Sequence, residues 1–172
     1  MGLSLSFPSP PSASLLTLHT RHVSTGGWIE HVLTQDNAER AVDQYPDKCK
    51  GLGFDVVEIS TGFLSLPLDG WLRLCERVMQ KDLKPKPEPG IQSGTDDDTE
   101  ASDLETMGAS DVVTRAKGLV NMDVERMMIE SEDITENVKS WRTDIIQAIL
   151  RDIPLDDVMF EAADLKVFKL VH

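Results

Sequence analysis

The sequence predicts an α/β fold, in which short strands alternate with amphipathic helices. Runs of β-branched and apolar residues recur along the chain, and each is followed by a stretch with helical periodicity. The resulting order is β-α-β-α-β-α-β-α-β, starting from a strand near Val23. This alternation is typical of a parallel sheet with right-handed crossovers. The 172 residues are 40% hydrophobic and 27% charged, as in soluble globular proteins, and no apolar run is long enough to span a membrane.

The first part of the chain is predicted to contain a leader and the first complete unit of the fold. Residues 1–22 are rich in Ser and Pro and lack acidic residues, so we expect a disordered leader or sequence added by an incorrect gene boundary. The folded domain is then expected to occupy residues 23–172. Within it, Phe54–Ser60 is predicted to be a buried strand and Asp69–Lys81 a helix with Asp69 as its N-cap.

The rest of the chain is predicted to continue the alternation. Leu83–Ile91 is a strand in which Pro85, Pro87 and Pro89 alternate, and only part of it can pair because proline has no N–H to donate. The remaining elements are an acidic loop at Gln92–Gly108, helices at Ser110–Asn121 and Thr135–Asp152, and strands at Arg126–Glu130 and Val158–Glu161. Pro154 follows the last helix, as expected of a terminating residue.

The charge balance excludes one large class of functions. The chain has 17 Lys and Arg residues against 30 Asp and Glu residues, a formal net charge of -13. A nucleic-acid-binding protein needs a basic surface for the phosphate backbone, so no nucleic acid is expected as a partner. Cys49 and Cys75 are too few for a disulfide framework, and we expect two reduced thiols on helices of a cytoplasmic protein.

A glutamate recurs near the end of each of four predicted strands. Glu58, Glu88, Glu130 and Glu161 are separated by 30, 42 and 31 residues. A βα unit of a barrel occupies about 30 residues, and the carboxyl ends of barrel strands meet at one rim. Clustered carboxylates stay ionised only beside a cation, and oxygen ligands of this kind suit Mg²⁺. The alternative is that each glutamate caps a helix or forms a salt bridge.

Basic residues close to these glutamates are candidate anion ligands. Lys84 and Lys86 flank Glu88 and, being two residues apart in a strand, share a face. Lys139 and Arg142 are predicted on the helix after Glu130, where the alternative is an exposed helix face.

Six segments, taken in order, resemble the phosphosulfolactate synthase family. The resemblance covers about Val23 to the end and is strongest to the eukaryotic branch, which includes fungal homologues and plant heat-stress-associated proteins. It implies a TIM-type (β/α) barrel that is apparently partial, with about five of eight βα units. The segments are Ser24–Glu30, Cys49–Ser60, Lys84–Glu88, Met128–Glu132, Lys139–Asp144 and Met159–Asp164.

The resemblance also implies a reaction and roles for these residues. Archaeal members add sulfite to phosphoenolpyruvate with Mg²⁺, giving phosphosulfolactate for coenzyme M synthesis. By position, Glu88 and Lys86 are the expected catalytic residues. The expected substrate ligands are Lys84, Lys86 and Arg142, and the expected metal ligands are Glu58, Glu88, Glu130 and Glu161. The substrate would be a small anion such as phosphoenolpyruvate or sulfite. The sequence does not indicate an oligomeric state.

Three positions depart from the archaeal pattern. Ile91 and Gln92 stand where archaeal members have a basic pair, and Glu132 stands where they have an arginine. These changes remove positive charge that an anionic substrate would need. Two alternatives to an active lyase therefore stay open, a non-catalytic heat-stress-associated family member and a truncated, non-functional fragment.

Overall fold

The computed structural model describes residues 22–60, 66–90, 101–122, 124–131, 134–136 and 138–161, with side chains of the helix at 101–120 described from Ser110 onward. The elements are α1 Ile29–Leu33, α2 Ala38–Gly51, β1 Val56–Ser60, α3 Leu68–Met79, β2 Lys84–Glu88, α4 Ala101–Val120, β3 Met127–Ile129, α5 Thr143–Asp152 and β4 Val158–Phe160. A 3₁₀ turn at Leu155–Asp157 leads into β4. The predicted α/β class and order of elements are confirmed.

All strand pairs that the structure describes are parallel, as predicted. β1 pairs with β2, β3 pairs with β4, and Ser24 forms a parallel bridge with Val56. The strand expected near Val23 is thus represented by a short backbone pairing, in which Val56 N–H donates to the Val23 carbonyl and Thr25 N–H to the Val56 carbonyl. Within the described residues the strands form two pairs and do not close into a barrel.

β2 lies beside β3 without forming a hydrogen-bonded ladder with it. The backbone N–H of Lys84 donates to the Asp55 carbonyl at 3.0 Å and therefore points toward β1. Backbone N–H groups point to alternate sides along a strand, so the nitrogens of Pro85 and Pro87 point toward β3. Proline nitrogens carry no hydrogen, and β2 therefore offers no donor to β3 at these two positions. The alternating prolines explain the break, and we call this boundary between β2 and β3 the proline seam.

One face of the strands packs against the helices and forms the core. Val57 and Ile59 of β1 and Met127 and Ile129 of β3 are all 0% exposed, and Val158 of β4 is 5% exposed. Buried side chains of the surrounding helices complete this core, and the largest of them are Trp71, Ile145, Leu119, Ile149 and Ile29. The opposite face is therefore left for the polar side chains of the strands.

The helix predicted at Asp69–Lys81 is confirmed as α3, but its predicted N-cap is wrong. The residue before the first turn is Pro67, and Asp69 lies inside that turn. There Asp69 pairs with Arg73 four residues later, at 2.6 Å. Proline favours helix starts because its restricted φ suits the position. Asp69 still contributes favourable negative charge to the first turn.

Two further predicted boundaries are corrected. α4 begins at Ala101, so the part of the predicted acidic loop from Ala101 to Gly108 is helical, and residues 92–100 lie outside the described residues. The last helix begins at Thr143 and not at Thr135. The Ser131 carbonyl accepts hydrogen bonds from the N–H groups of residues 134, 135 and 136, which forms a tight turn before the helix.

Both cysteines are buried on helices, as predicted, Cys49 in α2 and Cys75 in α3. Burial raises the pKa of Cys49 to about 11 and of Cys75 to about 12. The thiolate form is therefore scarce at neutral pH, and these side chains act as small apolar groups in the core. No helix among the described residues combines the length and apolar character needed to cross a membrane. The predicted leader, apart from His22, lies outside the described residues.

Candidate functional site

Three of the four predicted glutamates lie at the carboxyl ends of strands, whereas Glu58 is the middle residue of the five in β1. Glu58 is paired in register with Lys86, and Ser60 with Glu88, so these side chains share one face of the β1–β2 pair. Glu130 and Glu161 directly follow β3 and β4. We call Glu58, Glu88, Glu130 and Glu161 the glutamate rim.

Lys86 neutralises one member of the rim. Its Nζ lies 2.7 Å from Glu58 Oε2, and the two side chains are only 18% and 14% exposed. The backbone N–H of Glu58 also donates to Thr25 Oγ1 at 2.9 Å, which anchors β1 at this point. A shielded pair of this kind is weakly screened by salt, so Lys86 and Glu58 hold each other in place.

Glu88 is the most enclosed glutamate of the rim, with 7% of its surface exposed. Its pKa is raised to about 7, chiefly by burial and then by the charges of Glu58, Glu130 and Glu161, while a hydrogen bond from Ser60 opposes the shift. The four acids therefore lie within electrostatic reach of one another. At neutral pH the Glu88 carboxyl is protonated in a substantial fraction of molecules.

Glu130 is packed against the turn that follows β2. A Cβ atom built on Gly90 would lie 2.9 Å from Glu130 Cδ, which is closer than real side chains approach. An added Cβ would displace the end of the Glu130 side chain, so the Gly90 backbone and the Glu130 carboxylate are in close contact.

Ser131 organises the far end of the rim and was not predicted from the sequence. The Ser131 N–H and Oγ lie 3.2 and 3.0 Å from Glu161 Oε2, and its Oγ lies 2.6 Å from Glu136 Oε1. Ser131 is 4% exposed, although Glu161 itself is exposed. The one sequence signal was a serine directly after a strand-end glutamate, which is too common a pattern to single out.

With this geometry established, the chain can be compared with known proteins. A model of one protein family, described as (2R)-phospho-3-sulfolactate synthase (ComA), matches residues 13–171. The chain belongs to the phosphosulfolactate synthase family. This confirms the resemblance seen in the ordered motifs.

A curated relative of this phosphosulfolactate synthase family member is Protein HEAT-STRESS-ASSOCIATED 32 of Arabidopsis thaliana. The two are 28% identical over 162 residues. The match covers 87% of this chain and 56% of the Arabidopsis protein. The chain therefore spans little more than half the length of that relative.

One predicted substrate ligand, Lys84, lies apart from the glutamate rim. Lys84 is at the start of β2, at the opposite end of the strand from Glu88, where its Nζ pairs with Glu125 at 2.5 Å and lies 3.4 Å from His22 Nε2. Arg142 immediately precedes α5, and its guanidinium pairs with Asp144 at 2.8 Å. Lys86, in contrast, is held against a rim glutamate.

The other predicted positions have simpler locations. Lys139 is exposed, but it lies in a bend before α5 and not on a helix, so its predicted location on a helix is wrong. Ile91, Gln92 and Glu132, the three departures from the archaeal phosphosulfolactate synthases, lie outside the described residues.

Mg²⁺ is the cofactor that the family resemblance implies, and the rim can be tested for its fit. In the described part of the chain, no three His, Cys, Asp or Glu side chains are arranged as a metal site on their own. Mg²⁺ usually takes one or two carboxylates and completes its shell with water and substrate oxygens. The rim supplies oxygen donors that repel one another, and so fits Mg²⁺ in this one- or two-carboxylate mode.

Proposed function

We propose that the glutamate rim forms part of a lyase-type site that adds sulfite to phosphoenolpyruvate. The observation that carries the proposal is Glu88, a buried carboxyl with a pKa raised to about 7 by burial and by three neighbouring glutamates. A group that is partly protonated at neutral pH suits general acid catalysis. Keeping four acids together is unfavourable for the fold alone, and this supports a catalytic role.

The reaction needs a proton donor at one carbon atom. The sulfite sulfur donates an electron pair to the methylene carbon of phosphoenolpyruvate and forms the C–S bond, and the electrons of the C=C bond move toward the substrate carboxylate. The neighbouring carbon, which keeps its phosphate ester, then takes up a proton. In this proposal Glu88 donates it, and its carboxylate stays ionised until solvent reprotonates it. No group leaves, so the balance is substrate, sulfite and one proton.

The remaining rim residues have supporting roles in this proposal. Lys86, held at 2.7 Å from Glu58, brings positive charge to a largely acidic rim and would bind a sulfite or phosphate oxygen. Glu130 and Glu161 would hold Mg²⁺, which when bound supplies positive charge to offset the charge developing on the substrate carboxylate.

The test is sulfite-dependent consumption of phosphoenolpyruvate in the presence of Mg²⁺. We expect turnover by the wild-type chain and a loss of about a hundredfold or more in Glu88→Gln, because an amide cannot act as the acid. Glu76→Gln, at an exposed position of α3, is the matched control and should retain full activity. If the wild-type chain neither turns over nor binds phosphoenolpyruvate by calorimetry, the proposal is wrong.

A non-catalytic role in recovery from heat is the second candidate. It is supported by the 28% identity to the Arabidopsis heat-stress-associated protein and by the loss of positive charge at Ile91, Gln92 and Glu132. The measurement is recovery after heat shock in cells that lack the gene, compared with cells complemented by wild type or by Glu88→Gln. Complementation by both versions would favour this role, and normal recovery without the gene would remove its support.

A further inference from the structure

Two side chains of the charged residue types are buried among the described residues, and they lie on either side of one turn. Glu88 is 7% exposed and Arg115 is 8% exposed. Glu88 ends β2, and Pro89 and Gly90 follow it. Arg115 is on α4, and its Nη1 lies 3.4 Å from the Gly90 carbonyl oxygen. Burying a guanidinium is costly unless it is paired, so its location calls for a reason.

Arg115 is held from two directions. Its Nη2 pairs with Asp111 at 3.2 Å, one helical turn earlier on α4, and its Nη1 reaches the backbone of the turn after β2. Asp111 is itself 70% exposed, so this pair connects the helix surface to the buried turn. The guanidinium has five N–H donors in a fixed planar geometry, which suits it for bridging two acceptors.

The same turn contacts the glutamate rim from its other side. Gly90 leaves no space for a Cβ, which would lie 2.9 Å from Glu130 Cδ and would overlap its carboxylate. The Gly90 backbone therefore borders the space that the Glu130 carboxylate occupies. Because β2 and β3 share no hydrogen-bonded ladder, the sheet itself does little to fix the position of Gly90 relative to Glu130.

We infer that Arg115 is a positioning residue for the glutamate rim, acting through the Gly90 carbonyl on the approach of Glu130 to Glu88. The contact between Arg115 and the Gly90 carbonyl does not depend on the proposed function. The catalytic consequence rests on the proposed function, since the spacing of the proton donor and its neighbouring carboxylate matters only if the rim does chemistry. The residue lies on a helix outside the family-like motifs, and for that reason sequence reasoning did not select it.

The chain offers a matched control for this role. Arg73 on α3 also pairs with an aspartate one helical turn earlier, Asp69, at 2.6 Å. Its side chain is 62% exposed, whereas that of Arg115 is 10% exposed. If Arg115 only stabilised its own helix through the aspartate, Arg115→Met and Arg73→Met should behave alike.

The first measurement is a double-mutant cycle on the melting temperature. Arg115→Met and Gly90→Ala are each expected to lower Tm, and the double variant is expected to lower it by clearly less than the sum, because both changes disturb one contact. Arg73→Met with Gly90→Ala should be additive. Additive behaviour of the Arg115 pair would overturn the inference. Glu130→Gln takes the place of Gly90→Ala in the cycle if the alanine variant does not fold.

The second measurement follows the rim directly. The ¹³C resonance of the Glu130 carboxylate should move in Arg115→Met and stay in place in Arg73→Met, and an unmoved resonance in Arg115→Met would contradict the inference. In the assay for phosphoenolpyruvate and sulfite, Arg115→Met should lower kcat about tenfold, the equivalent of about 1.4 kcal/mol, with little change in KM. Absence of turnover in the wild type would overturn the proposed function, while the cycle and the resonance would still decide the role of Arg115.

Discussion

Glu88 shows how a single residue can oppose the stability of the fold that holds it. Its carboxyl is enclosed at the end of β2 and faces the charges of three other glutamates, so ionisation is unfavourable there. In the unfolded chain the same group would ionise near its ordinary pKa of 4.5. The folded state thus binds a proton more tightly than the unfolded state.

The pH dependence of stability follows from this difference. Because the folded pKa is raised, the stabilising contribution of the proton is complete below about 4.5 and is lost as the pH rises through about 7. Glu88→Gln removes the ionisation, so above pH 7 it should be more stable than wild type by on the order of 2 to 3 kcal/mol, with the difference shrinking toward low pH.

Urea unfolding across this pH range, in buffer with a chelator, measures the effect. Glu76→Gln on the exposed face of α3 is the control and should show no comparable pH dependence. If the two variants give parallel curves, Glu88 is ionised in the folded state and the electrostatic account of the rim is wrong.

At this scale the sequence predicted the carboxylates better than their partners. The spacing of glutamates near strand ends predicted that the other three rim glutamates lie close enough to Glu88 to raise its pKa, because parallel strands bring equivalent positions together. Their roles as ligands stay a prediction. The spacing did not identify Ser131 or Arg115. The roles of these two residues depend on the turn after β3 and on the face that α4 presents to β2, and neither is encoded in a local pattern.

At the scale of elements, β2 is defined by its prolines. The nitrogens of Pro85 and Pro87, which carry no hydrogen, point toward β3. The backbone N–H groups of Lys84, Lys86 and Glu88 point toward β1. This arrangement lets β2 carry Lys86 and Glu88 on one face and still remain in a sheet. It also explains why a proline-rich segment, unusual for a buried strand, pairs on one side.

Restoring one donor should strengthen the proline seam. Pro87→Val introduces an N–H directed at β3, and we expect this amide to be protected from hydrogen exchange because a β3 carbonyl accepts it. Protection of about a hundredfold or more over the unprotected rate would be measured by NMR. Pro154→Val, at an exposed position before the 3₁₀ turn, is the control and should exchange rapidly. Rapid exchange of the new amide in Pro87→Val would mean that β2 and β3 lie too far apart to bond.

The predicted order of elements was correct, and the errors in their bounds have identifiable causes. The N–H groups of residues 134–136 bond to the Ser131 carbonyl, which delays the last helix to Thr143. The start of α4 was missed because its first turns are acidic and polar, a composition shared by loops. In the first case hydrogen bonding outweighed the hydrophobic pattern, and in the second the composition did not distinguish a helix from a loop.

At the scale of the whole molecule, the net charge of -13 makes cation binding favourable and gives a test of the rim. At equal ionic strength, MgCl₂ and NaCl screen the repulsion between surface charges alike. Only Mg²⁺ is expected to bind the rim carboxylates and thereby stabilise the folded state. At about ten times its Kd, Mg²⁺ should stabilise the fold by about 1.4 kcal/mol, which raises Tm by about 3–6 °C in a chain of this length. Thermal melts followed by circular dichroism measure the difference.

The variant for this test is Glu130→Gln combined with Glu161→Gln, which removes two of the donors. It should respond equally to the two salts, whereas Asp156→Asn with Asp157→Asn, in the 3₁₀ turn before β4, should respond as the wild type does. Equal responses of the wild type to MgCl₂ and NaCl would argue against a magnesium site at the rim.

The proline seam also lies between two groups of rim residues. Glu58, Lys86 and Glu88 belong to the part built on β1 and β2, and Glu130 and Glu161 to the part built on β3 and β4. No backbone ladder joins the two strands that meet there, so the two parts are held together by the shared apolar core. A ligand bound by residues of both parts would hold the two parts together, so ligand binding at the rim would raise thermal stability.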